Sequence, residues 1–345
     1  MSTTQWNDDL RVGIFGAGAI GTFIGSKLQR QGCNVVYLSR SGALEKSVAT
    51  SASHTLRVQS LSESTFELTQ DVLSFSTSPE DIRNCDIVLV STKCTSTVAV
   101  AKTLASVLES NVDCVVVSLQ NGVRNQDILR QHMPQHRILA GMVGFNVVIE
   151  KNYLRLTSSG DLHIEKVAVV PPVCKRDRLE NELVKRLRAA GVNTKHDVDI
   201  GATQWGKLLI NLANALNALA GVPLKTFLFN RTYRAVFAAS ISEGLSVLSA
   251  AKIRPGKVIL SPWLLPHLLR LPDWLYHLVA RRVAKMSPSA KSSMLQDLEA
   301  GSCLCLYLFV FVLVSVILLV IIHIFHRCWS VESQCISPST TNARV

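Results

Sequence analysis

The chain has 345 residues, a length that suits two domains better than one small one. With 48% hydrophobic residues and a mean hydropathy of +0.26 it is too apolar to be a disordered chain, and 18 Gly with 11 Pro exclude collagen-like and low-complexity classes. The net charge is +11, yet no interleaved basic and aromatic pattern points to nucleic acid.

The N-terminal stretch Met1–Asn7, followed by Asp8 and Asp9, lacks the basic and apolar regions of a secretory signal. Nine cysteines without a C-x-x-C pair agree with reduced thiols. A cytoplasmic location is therefore expected for the bulk of the chain, and no metal site is expected.

Arg11–Phe15 reads as a buried strand, and Gly16-Ala17-Gly18-Ala19-Ile20-Gly21 follows at once. Thr22–Gln31 has helical spacing, with Ile20, Phe23, Ile24 and Leu28 on one face, and Asn34–Ser39 reads as a second strand. Strand, glycine turn, helix and strand in about 30 residues is the dinucleotide-binding context. Gly16 makes the tight turn, Gly18 admits the pyrophosphate, and Gly21 lets the helix pack on the strand. The helix N-terminus then faces the phosphates. An acid at the end of the second strand would hold the ribose of NAD, but the chain reads Ser39-Arg40-Ser41-Gly42. Arg40 suits a 2′-phosphate, so NADP is the expected cofactor.

Ile87–Ser91 and Cys114–Ser118 are continuous apolar runs that lead into Thr92-Lys93 and Leu119-Gln120-Asn121-Gly122. Ligands sit at the carboxyl ends of strands in open parallel sheets, which places Lys93 and Asn121 to meet cofactor and substrate. Further strands are expected between Ile138 and Ile164, and a charged amphipathic helix over Asp177–Ala190. From about Asp199 the pattern is helical: Thr203–Ala220, Thr232–Ala251, Pro262–Met286 interrupted at Pro266 and Pro272, and Ala290–Ala300. Lys207, Asn211 and Asn214 fall at i, i+4 and i+7, so one otherwise apolar helix carries three polar side chains on one face.

Taken together, these segments resemble the ketopantoate reductase (2-dehydropantoate 2-reductase) family over residues 11–301. The likeness rests on the glycine loop, Ser91-Thr-Lys93, Gln120-Asn-Gly-Val123, Trp205-Gly-Lys-Leu-Leu-Ile-Asn211, Asn214-Ala-Leu-Asn217 and Ser292-Ser-Met-Leu-Gln-Asp297. It implies NADPH-dependent reduction of ketopantoate to pantoate, on the route to coenzyme A. It also implies an α/β fold like that of 6-phosphogluconate dehydrogenase relatives: a Rossmann-type domain, an all-helical domain, and an active site in the cleft. Lys207 would be the catalytic lysine. Asn121, Asn211, Asn214 and Ser293 would bind or position the 2-oxo acid, and Lys93 would sit by the cofactor. Family members are monomers or dimers. The family's second asparagine falls here at Ala215, which leaves Asn214 and Asn217 as alternatives for the cleft.

The surplus hydrophobicity is concentrated. Gly301–Ile322 carries no charge, and Leu304–Ile322 is almost wholly Leu, Val, Ile and Phe. A helix of about 20 apolar residues spans a bilayer core, so one transmembrane helix over 302–325 is expected, with a polar tail over 326–345. Basic residues between Arg254 and Lys291 suit a cytoplasmic flank. The expected organisation is thus 1–198 for the cofactor, 199–301 for the substrate, then the span. The apolar run has a cost. Counting from Ser293, the family's substrate-contacting glutamate falls at Cys305, and the closing helices are missing. Either this is a membrane-tethered NADP-binding form with impaired catalysis, or translated intron sequence stands in place of the closing exon. A faint family likeness in Thr341-Asn-Ala-Arg344 favours the second.

Overall fold

A computed structural model of the chain describes residues 10–40, 42–61, 63–168, 171–280, 290–299 and 301. Contacts divide it into two compact units, separated after Leu208, with Arg254–Ile259 returning to the first.

The first unit is built on an eight-stranded sheet. Its strands are β1 (Arg11–Phe15), β2 (Asn34–Leu38), β5 (Ser74–Ser76), β6 (Ile87–Val90), β7 (Val115–Ser118), β8 (Arg137–Val143), β11 (Leu162–Glu165) and β12 (Thr194–Asp197), in the order β12-β11-β8-β7-β6-β1-β2-β5. From β5 to β8 every neighbouring pair is parallel, and β11 runs antiparallel to β8. The expected Rossmann arrangement is therefore present, with its strand order reversing at β1. The chain leaves β1 toward β2 on one side, and β6 occupies the other. Such a reversal is where open parallel sheets take ligands, at the carboxyl ends of the strands.

Both faces of this sheet are covered. Ile87 and Leu89 of β6 enter one core with Phe23, Ile24 and Leu28 of helix α1 (Ala19–Arg30) and Leu183 and Leu187 of helix α5 (Lys175–Ala189). Val88 and Val90 enter the other, with Val100, Ala101 and Leu104 of α3 (Thr97–Val107) and Leu129 of α4 (Asn125–His132). Two-sided burial explains why these strands are continuous apolar runs. Burial at about 1.5–3 kcal/mol per large apolar side chain also opposes any one-residue slip. Helix α2 (Ala43–Ala49) follows β2.

The sequence signals only part of a second, four-stranded sheet, ordered β4 (Phe66–Thr69), β3 (Thr55–Gln59), β10 (Tyr153–Ser158), β9 (Asn146–Glu150). Strands β9 and β10 lie in the stretch expected to be extended, but β3 and β4 had no sequence signal. They are short, and β4 alternates half-buried and exposed residues, so no apolar run marks it.

Helix α6 (Ile200–Ala220) begins in the first unit and continues into the second. The second unit is helical, with α7 (Leu224–Phe229), α8 (Arg231–Ala250), α9 (Leu265–Leu269), α10 (Asp273–Val279) and α11 (Ser293–Glu299). Proline at 266 and 272 breaks the apolar segment into α9 and α10 as expected. Buried Arg234 of α8 holds them. It donates to the carbonyls of Leu269 (3.1 Å), Phe229 (2.9 Å) and Leu271 (3.2 Å) and to Asp273 Oδ1 (2.6 Å), and it lies 4.0 Å from the Tyr276 ring centre. Among the described residues no helix is long and apolar enough to cross a membrane. The expected span over 302–325, the tail over 326–345 and Cys305 lie outside the described residues.

Candidate functional site

The glycine loop is shaped by what surrounds it. Gly16 has φ +105°, and its N–H and that of Ala17 both donate to Leu38 O at 3.0 Å. A Cβ on Gly16 would stand 2.7 Å from Thr92 Cγ2 and 2.8 Å from Thr92 N, so a side chain is excluded on two counts. Gly21 is closed in as tightly: its Cβ would overlap Ser91 Oγ and lie 2.6 Å from Gly16 O. Gly18 differs. It caps α1 in extended conformation, and a Cβ there would meet nothing within 4 Å. Neither a side-chain cap nor a first-turn acid serves the helix start, so the positive end of the helix dipole is left for a ligand. These features fit a bound pyrophosphate.

Arg40 is exposed just beyond β2, in a turn leading to α2, and Ser39 N bonds to Ser76 O at 3.0 Å. No carboxylate stands between Leu38 and Gly42.

The ends of β6 and β7 are joined by a polar network that sequence reasoning did not resolve. Buried Gln120 donates to Thr92 Oγ1 (3.1 Å), Thr97 Oγ1 (3.0 Å) and Lys93 O (3.4 Å), and accepts from Ser118 Oγ (3.3 Å). Thr97 Oγ1 approaches Asn125 Oδ1 at 2.9 Å, and Asn125 Nδ2 donates to Asn121 O at 2.9 Å. Lys93 and Asn121 themselves are exposed at this rim. Gln120 fixes the loops that carry them. Its position in the Gln-Asn-Gly motif was visible, but the acceptors of its amide N–H lie 23 to 28 residues away.

Lys207 reaches the same end of the sheet from α6. The parallel register pairs Ser118 with Ala140, so Asn121 and Val143 each lie three residues further on. Lys207 Nζ donates to Val143 O. The ammonium is largely taken from water, and this desolvation lowers its pKa to about 8. The start of α6 is held by Asp197, which accepts from Thr203 Oγ1 at 2.6 Å and lies 2.8 Å from His163 Nδ1.

The other expected residues belong to the second unit. Asn214 Nδ2 donates to Asn211 Oδ1 at 3.4 Å, and both side chains are half-buried. Asn217 is fully buried. Its Nδ2 donates to Val222 O (2.8 Å) and its Oδ1 accepts from Ser292 N (3.2 Å). Ser292 Oγ donates to Asn214 O and accepts from Leu295 N, both at 3.2 Å, and so caps α11. Of the two asparagines left open by the sequence, Asn217 is occupied by the framework and Asn214 keeps an accessible side chain. Ser293, the expected substrate residue, is exposed at the start of α11, beside its buried neighbour.

Residues 12–168 match the family model "Ketopantoate reductase PanE/ApbA", and residues 199–304 match "Ketopantoate reductase PanE/ApbA C terminal". A 2-dehydropantoate 2-reductase of Archaeoglobus fulgidus is 31% identical over 298 residues, covering 84% of this chain and 85% of that protein. The one from Halobacterium salinarum is 24% identical over 295 residues, covering 85% and 87%. The crystal structure of a PanE/ApbA family ketopantoate reductase from Ralstonia eutropha superposes with a TM-score of 0.65 at 27% identity, covering 85% of this chain and 86% of that one.

Proposed function

This chain belongs to the ketopantoate reductase family of NADP-dependent oxidoreductases, and from that premise we propose that it reduces 2-dehydropantoate, or a similarly branched 2-oxo acid, to the 2-hydroxy acid. The observation that carries the reading is that a dinucleotide loop and a desolvated lysine both lie at the carboxyl edge of one parallel sheet.

In this reading the loop Gly16–Gly21 and the first turn of α1 hold the pyrophosphate of NADPH. Arg40 pairs with the 2′-phosphate, and Lys93 and Asn121 flank the nicotinamide half. Bound NADPH supplies the hydride. Lys207 acts on the ketone oxygen: its ammonium stabilises the negative charge that develops there and donates the proton. A pKa near 8 suits this, because the group is charged at neutral pH yet gives up its proton readily. Asn211, Asn214 and Ser293 would orient the substrate carboxylate and its terminal hydroxyl. Residues 1–198 would then serve the cofactor and 199–301 the substrate. The charge-free run within 302–325 would tether the enzyme to a bilayer, with its catalytic part in the cytoplasm, and carbonate extraction of membranes tests that.

The decisive experiment is NADPH oxidation by the full-length chain with ketopantoate and a panel of branched 2-oxo acids. Turnover with at least one is expected. NADPH binding without turnover on any would instead support a catalytically impaired NADP-binding protein. Cys305, standing where the family has its glutamate, is the observation that favours this second reading.

A further inference from the structure

Gln126, in the first turn of α4, and Gln204, in the second turn of α6, are both buried, at positions where an apolar residue would pack at lower cost. Buried amides are tolerated where their hydrogen bonds are made, and here Gln204 Nε2, Gln204 Oε1 and Gln126 Nε2 are each bonded while Gln126 Oε1 is buried without a partner. Gln204 Nε2 donates to Gly141 O of β8 at 3.1 Å. Gln204 Oε1 accepts from Gln126 Nε2 at 3.2 Å, and Gln126 Nε2 also donates to Val123 O at 2.9 Å. One amide chain therefore runs from the loop containing Asn121, through α6, to β8.

Lys207 follows Gln204 by three residues and so shares its helix face. Lys207 reaches Val143 O, while Gln204 reaches Gly141 O two residues earlier on the same strand. The pair reads two carbonyls of β8 from one side of α6. Neither glutamine figures in the proposed chemistry.

We propose that Gln204 is a positioning residue for Lys207, setting the rotation and height of α6 against β8 and tying both to the Asn121 loop through Gln126. The inference rests on the reductase reading, in which Lys207 acts on the ketone. An apolar side chain at 204 would fill the same space but fix no register, because dispersion contacts are not directional. Displacement of a reacting group by about 1 Å can cost on the order of a hundredfold in rate. The helix itself would survive, since Thr203 still bonds to Asp197 and Gly256 N still donates to Ala202 O at 2.6 Å.

The test uses the full-length chain with Gln204→Leu, Gln126→Leu and the double variant. Gln204→Met stands in if the leucine variant does not fold. Each single change is expected to lower kcat about tenfold while the Kd for NADPH stays within twofold. The double variant is expected to be no slower than the slower single one, because both act through one link. Carbon NMR of the lysine Cε, assigned by the signal lost in Lys207→Met, reads the ammonium directly: a midpoint near 8 should move upward in Gln204→Leu as the group loosens into water. A folded variant with unchanged kcat and an unmoved Lys207 midpoint overturns the proposal, as does a double variant whose losses multiply. If the unaltered chain turns over no 2-oxo acid, the reductase reading fails. The Lys207 midpoint then decides the positioning role alone.

Discussion

Ser91 Oγ donates to Gly16 O at 2.7 Å, and so pins the end of β6 to the loop that leaves β1. Gly21 lies directly over this bond. Gly21→Ala would force the hydroxyl aside, at a cost of about 1–3 kcal/mol for overpacking. Lower thermal stability and at least a tenfold weaker NADPH affinity are expected together. Gly18→Ala separates the two effects. Its methyl enters open space, so stability should hold while NADPH affinity falls. Thermal denaturation and fluorescence titration of NADPH check both.

Arg40 offers the only guanidinium in the turn after β2. Arg40→Asp should remove a charge-assisted bond to the 2′-phosphate, of about 1.5–3 kcal/mol. The preference for NADPH over NADH, measured as the ratio of kcat/KM, should fall roughly tenfold to a hundredfold by the same estimate. An unchanged ratio would place the 2′-phosphate elsewhere.

The lowered pKa of Lys207 predicts a pH profile. The reduction rate should be level below neutrality and decline as pH rises through about 8, where the proton donor is lost. Stability should move the other way. Between about 8 and the ordinary 10.5 the unfolded chain binds more protons than the folded one, so stability contributed by this site rises with pH across that window. Lys207→Met should abolish turnover and flatten both effects. Its melting temperature should be no lower, because a desolvated cation has been removed.

Arg234 should matter for stability and little for chemistry. Arg234→Met leaves three backbone carbonyls without their donor and the segment carrying α9 and α10 without its anchor. A loss of about 1–3 kcal/mol for each buried carbonyl left without a donor is expected in chemical denaturation. Asp273→Asn should cost far less, since Asp273 is exposed to water and the arginine keeps its carbonyl bonds.

Asn214 and Asn217 should part company in the same assays. Asn217→Ala strips partners from Val222 O and Ser292 N inside the second unit, so about 1–3 kcal/mol of stability should be lost. Asn214→Ala removes only an accessible amide with a long bond to Asn211. It should leave stability nearly unchanged and raise the KM for the 2-oxo acid.

Much of the first unit was legible in the chain because its signals are local. Gly16, Gly18 and Gly21 sit at fixed offsets from a strand and a helix, and Ile87–Val90 and Val115–Ser118 are apolar throughout because both faces of the sheet are covered. The helices of the second unit announced themselves by periodicity and by Pro266 and Pro272. Strands β3 and β4 did not, being short and interrupted by polar residues. Gln204 and Arg234 were equally silent, since a polar residue in a helix looks like surface until its partners are known.

Residue order by itself determined the nucleotide loop, the absence of an acid after β2, and the i, i+4, i+7 row of Lys207, Asn211 and Asn214. Each depends only on near neighbours in the chain. The tertiary structure alone decided that Asn217 is part of the framework while Asn214 stays accessible. It alone decided that Lys207 loses water at the end of β8, and that Gln126 and Gln204 meet across 78 residues. Burial and hydrogen-bond partnership are set by segments remote in sequence, and those are what turn a polar residue into an anchor or a reactive group.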